Sequence, residues 1–197
     1  MADWVQIANL AGGIIGTETR ITSPDDDRTL ARSIRNVWDL QRRSAIREGS
    51  WNFAMRRASL PALNETPAFG FSYAYQLPAA NLRLIEVIGL DRDEYQAEDG
   101  KVLCNASGPL LIRHMVDVDN VALWDDLFAE TFAARIAWKI GAKIAGSSFD
   151  KASAWRMYEA GLAASKRVDA MENPPIEREE SDWVTARHGG AFWDPRT

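Results

Sequence analysis

The chain has 197 residues, 46% of them hydrophobic and 26% charged, and a formal net charge of −5. That length suits one domain, or a domain with an inserted subdomain, whose core needs no covalent staples. A single cysteine excludes an internal disulfide or a cysteine-built metal cluster, and the two histidines, His114 and His188, share no ligand spacing.

No apolar run approaches the roughly 20 residues of a membrane span, and no secretory leader is read, so synthesis in the cytoplasm is expected. No cofactor is expected either. Eight tryptophans stand out, and arginine supplies 18 of the 23 basic residues. Both residue types are enriched where proteins bind one another, one for buried area and the other for its rigid fork of donors. The composition therefore tilts toward assembly.

In chain order, Trp4, Ile7, Ala8 and Leu10 or Ala11 predict a short helix within 3–16. A long helix is predicted over 24–48. Ser23 is its expected N-cap, Pro24 its first residue, and Asp25, Asp26 and Asp27 complement the positive end of the dipole. Leu30, Ile34, Val37, Trp38, Ala45 and Ile46 recur at helical spacing until Gly49 ends the pattern. Its polar face carries Arg28, Arg32, Arg35 and Arg42. Over 28–47 six arginines oppose only Asp39, a local charge of +5. Two readings stand: a solvated face whose arginines meet acids elsewhere in the fold, or an interface with acidic groups or phosphates.

At 48–57 the chain reads "EGSWNFAMRR", a helix stop followed at once by bulky residues and two arginines. Alternating apolar residues and the turn signals "GLDRDE", "EDG" and "NASG" then predict strands near 82–90, 93–97, 101–105 and 109–116. They form a small antiparallel sheet inserted between helices. Cys104, in "KVLCNASG", is read as a small buried residue where a strand enters a turn. Glu48, Asp117 and His114 are the polar groups an active site would draw on, yet no spacing marks a catalytic set.

Two further helices are predicted. The first runs over 125–146, with Phe128, Phe132, Ile136, Ile140 and Ile144 at steps of four, a lesser stripe of Ala134 and Trp138, and a basic ridge of Arg135, Lys139 and Lys143. The second runs over 149–172, with Ala152, Trp155, Tyr158 (or Met157), Leu162 and Ser165 along its face, and "AGSS" turns the chain between them. The last stretch carries two prolines, the acids Glu177, Glu179, Glu180 and Asp182, and the aromatics Trp183, Phe192 and Trp193. It reads as an extended tail whose aromatic anchors bind its own domain or a neighbour.

The fold class expected is α+β, mainly α: an antiparallel helical bundle (1–60 and 120–172), an inserted β subdomain (61–119) and an extended C-terminal docking tail (173–197). In this order "SWNFAMRRASLPAL", "FGFSYAYQLPAANLRLIEV", "PLLIRHM", "LFAETFAARIAWKI" and "SDWVTAR" resemble the tail tubular protein A family, the head-to-tail adaptors of short-tailed bacteriophages. The resemblance spans about 24–187, is carried by the order of the motifs, and is loosest at both ends of the chain.

It implies a structural virion protein and not an enzyme. The family forms a dodecameric ring between the portal protein and the tail nozzle protein, with tail fibres nearby, and DNA passes through the central channel without sequence-specific binding. On that reading Trp51 and Phe53 wedge into the bundle core, and Arg56 and Arg57 point at acids of the same or a neighbouring chain. Arg28, Arg32, Arg35 and Arg42 serve subunit or portal contacts, matched by the acidic stretch 169–182. The tail and bundle are expected to meet the portal, and the β insertion the nozzle. The alternative is a helical DNA-binding or regulatory protein that uses the arginine helix.

Overall fold

A computed structural model describes residues 2–172. The expected tail, with Glu177, Glu179, Glu180, Trp183, Phe192 and Trp193, lies outside the described residues. Among those described, four helices and two three-stranded antiparallel sheets make an α+β fold dominated by helix.

Helix α1 spans Trp4–Ile15. A reciprocal capping box starts it: the Gln6 backbone donates to Asp3 Oδ1 at 2.7 Å, and the Asp3 backbone to Gln6 Oε1 at 3.0 Å. Gly16, at φ 83°, stops it in the left-handed region.

Helix α2, Thr29–Glu48, begins five residues later than its charge pattern predicts. Ser23 does cap, but it caps a turn: its Oγ accepts from the Asp25 backbone, and its carbonyl from that of Asp26. Asp26 Oδ1 then accepts from the Arg28 backbone. Short polar side chains that bond nearby backbone compete with helix, and Ser23 and Asp26 together hold this turn ahead of it. Arg28 becomes the N-cap residue, with no side-chain cap bond.

The β region holds more strand than predicted. Strands β1 (Met55–Leu60), β6 (Leu110–Val116) and β3 (Asn81–Val87) form one sheet in the order β1-β6-β3. Strands β2 (Tyr73–Gln76), β5 (Lys101–Cys104) and β4 (Tyr95–Glu98) form the other, in the order β2-β5-β4. The expected single sheet is therefore two, and strand begins at Met55, inside the segment read as bundle. "MRRASL" and "YAYQ" escaped notice because each is short and lacks clean alternation; distant partners hold them, β6 for the first and β5 for the second. The "EDG" signal is a tight hairpin turn, with Asp99 at φ 49° and Gly100 at 69°, the positive values a two-residue connection requires.

Helix α3, Asp126–Ala145, starts where Asp125 Oδ1 accepts from the Leu127 and Phe128 backbones. It runs through the middle of the fold, against α1, α2 and helix α4, Lys151–Glu172. Its stripe of Phe128, Phe132, Ile136 and Ile140 is buried as spaced. Four of the six tryptophans among the described residues, Trp4, Trp38, Trp51 and Trp124, pack into this core. Trp38 lies 5.5 Å from Trp4 and 6.1 Å from Trp124, with Phe132 edge-on at 5.0 Å. A second, smaller core of Leu60, Tyr75, Leu77, Val87, Val102, Cys104, Leu110 and Ile112 joins the two sheets. Cys104 lies buried within it, and burial pushes its thiol pKa up, away from reactivity.

α3 and α4 approach closely at Gly161, where a Cβ would stand 2.6 Å from Thr131 Oγ1. Beside it Thr131 and Ser165 share a hydrogen bond of 3.2 Å. α4 buries Ala154, Tyr158 and Ser165. Ala152 and Trp155, placed by the sequence on the packed stripe, are exposed.

Candidate functional site

The corner at "EGSWNFAMRR" is built from the inside outward. Gly49 lies directly under the Trp51 indole: a Cβ there would sit 2.3 Å from Trp51 Cε2. No other residue leaves room for the ring. Trp51 is 1% exposed, and its Nε1 donates to the Ala45 carbonyl at 3.1 Å, satisfying the acceptor left at the helix end. Phe128 closes on the indole at 4.9 Å and Phe53 at 6.3 Å.

Asn52 then stitches the corner to the end of α4. Its backbone donates to Asp169 Oδ1 at 2.8 Å, and its side-chain amide to the Asp169 carbonyl and to Glu172 Oε2. Burial is the main force raising the pKa of Asp169 above the usual carboxylate range.

The arginines divide into two kinds. Arg42 is buried and grips Asp117 with two bonds of 2.8 Å, and Asp39 with one of 2.7 Å. This corrects its assignment to an external interface: the fork is engaged inside the chain, where two carboxylates repay its desolvation. Arg28, Arg32 and Arg35 remain exposed but reach back to the 20–27 loop. Arg32 pairs with Asp27 at 2.9 Å, Arg28 bonds the Arg20 carbonyl, and Arg35 bonds those of Pro24 and Asp26. Such exposed pairs contribute little stability, about 0–1 kcal/mol each, and leave the groups open to exchange partners. Arg56 donates to the carbonyls of Phe53 and Met55 at 2.9 Å, while Arg57 is exposed on β1 opposite Arg113.

Arg135 departs furthest from its sequence reading. Predicted on a basic ridge with Lys139 and Lys143, it is instead the buried hub of the bundle. Its Nε donates to Gln41 Oε1 at 2.9 Å and its Nη2 to Ser44 Oγ at 2.7 Å. Its Nη1 reaches Glu48 Oε1 at 2.7 Å and the Tyr158 hydroxyl at 2.6 Å, and that hydroxyl donates in turn to Glu48. Burial, then the bond to Glu48, drives the Tyr158 pKa well above its ordinary value.

The three candidate polar groups thus have separate tasks. Glu48 serves Arg135, Asp117 serves Arg42, and His114 is buried with Nδ1 3.1 Å from Asn81 Oδ1. No group of three or more His, Cys, Asp or Glu residues suited to a metal ion occurs among the described residues. None of their helices is long and apolar enough to cross a membrane.

Burial, aided by Arg56, holds the His114 pKa below its ordinary 6.5. The unfolded chain therefore takes up a proton that the folded chain resists. Stability is full above about pH 6.5 and declines below it, levelling off once the folded-state pKa is passed. Urea midpoints measured across this range should show the decline in the wild type, and His114→Gln should flatten it. An unchanged slope would rule out the imidazole as its source.

Two surface features went unread in the sequence. On the outer face of α4, Met157, Ala160, Ala164, Val168 and Met171 recur at steps of three and four and are all exposed, Met157 by 50% and Met171 by 72%. Of these only Met157 entered the sequence reading, as an alternative to Tyr158 on the packed face. The second feature is a cationic cleft beside the Trp51 corner, assembled from strands and helix ends that no spacing brings together.

No protein-family model matches the chain, and neither does any curated protein.

Proposed function

We propose that this chain is a structural subunit of a bacteriophage virion: an adaptor that forms a ring, of 12 copies by the family's pattern, between the portal and the tail nozzle of a short-tailed phage. DNA passes through the ring during ejection, and the chain carries out no catalysis. The observation that carries the reading is the order of the five motifs that resemble the tail tubular protein A family. Four of them cover the Trp51 corner, β2 with β3, β6 and α3, the elements around which the fold is built.

The outer face of α4 supports a subunit role. A polar helix face facing water needs no neighbour, whereas an apolar stripe at steps of three and four is the pattern of a helix packed against another. In a head-to-tail ring the same face meets the next copy until the ring closes. Arg28, Arg32 and Arg35, exposed and weakly paired, suit the rim of such a contact better than a DNA grip. Arg42 is withdrawn from either task by Asp117.

Light scattering and negative-stain images test the reading. The wild type should assemble, alone or on portal rings, into particles many times the 22.0 kDa chain mass. Met157→Glu with Val168→Glu should leave a folded monomer with wild-type circular dichroism. A wild type that stays monomeric in both settings, or a double variant that assembles normally, overturns it.

A further inference from the structure

Where α4 ends, the seam between the bundle and the first sheet opens into a cleft of about 430 Å³. Three cations line it: Arg83 from β3, Arg113 from β6 and Lys166 from α4. Two acids also line it, Glu48 and Asp169, but both are engaged. Glu48 holds Arg135 and Tyr158, and Asp169 accepts from the Asn52 backbone.

The arginines are less well served. Arg83 donates to two neutral acceptors, the Gly49 carbonyl and Ser50 Oγ, and to no carboxylate among the described residues. Among the described residues Arg113 reaches Glu86 alone, at 3.1 Å. In both, the Nε–H is buried with no acceptor among the described residues. That Nε–H lies out of reach of a group arriving from the cleft, so what an incoming carboxylate would meet is the guanidinium charge, which Arg83 shares with no carboxylate and Arg113 with Glu86 among the described residues.

We propose that this cleft is a docking site for carboxylate side chains, and that its occupant is the acidic run 177–182 of the chain's own C-terminal segment. That run contains Glu177, Glu179, Glu180 and Asp182 against the single Arg178. The tether fits. Asp169, on the cleft wall, lies three residues before the end of α4 at Glu172, about 4.5 Å along a helix axis. The five residues from 173 to 177 reach up to about 17 Å, enough to turn back into the cleft. So short a connection holds the run at an effective concentration on the order of millimolar, so weak ion pairs suffice for docking. The docking holds whether or not the chain forms a ring.

Trypsin cleavage after Arg178 in the full chain tests the proposal, each rate normalised to a peptide of residues 173–197 bearing the same substitutions. Docking should slow cleavage of the wild type about tenfold, since proteolysis follows the open population. Glu177→Gln with Glu179→Gln and Glu180→Gln should abolish the protection, and so should Arg83→Gln. The triple variant leaves every described residue unchanged, so it answers even if Arg83→Gln fails to fold. Wild-type and triple-variant rates that are equal after normalisation overturn the docking. Protection that vanishes on dilution overturns the own-chain occupant, because a tethered segment protects independently of concentration.

Discussion

Trp51→Ala should destabilise the protein by about 4 kcal/mol, read as a fall in the urea midpoint with little change in slope. The indole is fully buried, stacks on Phe53, meets Phe128 at a tilt, and bonds the Ala45 carbonyl at the end of α2. Alanine removes all three interactions together. The site has little freedom to collapse, since Gly49 already touches the ring on one side and Asn52 is tied to α4 on the other. Trp51→Phe keeps most of the area but loses the Nε1 donor, and should cost about half as much. If alanine cost under about 1 kcal/mol, the corner would be filling its own cavity and the rigid wedge would be wrong.

Arg135→Met should cost a similar amount, about 3 kcal/mol, by a different route. Methionine fills the volume, so the loss lies in the partners left behind. Gln41 and Ser44 lose a donor, Tyr158 keeps only its bond to Glu48, and Glu48 keeps its charge without a cation. Glu48 is about one-third exposed, and water softens its share. Arg135→Lys should rescue little, because an ammonium cannot supply three directions of a planar fork. The decisive comparison is a double-variant cycle with Glu48→Gln. A coupling energy near zero would mean that the Arg135–Glu48 contact contributes nothing beyond packing.

Both effects sit where α2, α3 and α4 meet, and they differ in how far the sequence announced them. Trp51 was visible: a bulky residue directly after a helix-stopping glycine has few places to go except the core. Arg135 was not, because an arginine four residues from Lys139 on a helix reads as part of a solvated ridge. Its burial depends on Gln41, Ser44 and Glu48 lining the opposite helix at the same level, a coincidence of two distant segments. The same holds for Arg42, whose partner Asp117 lies 75 residues away.

What the sequence determined by itself was everything governed by local periodicity and punctuation. The four helices, their apolar stripes, the stop at Gly49 and the "EDG" hairpin follow from spacings of three, four and two, and from backbone angles glycine alone adopts with ease. It also determined the mainly helical α+β class. Only the tertiary structure decided which polar groups are satisfied by whom. It divided one expected sheet into two by pairing β1 with β6 and β2 with β5. It withdrew Arg42 and Arg135 into the interior, left an apolar stripe facing outward on α4, and gathered Arg83, Arg113 and Lys166 around one cleft. The reason is physical: helix and turn preferences are set within a few residues, whereas strand pairing and the burial of charge depend on which distant partners the chain brings within hydrogen-bond reach.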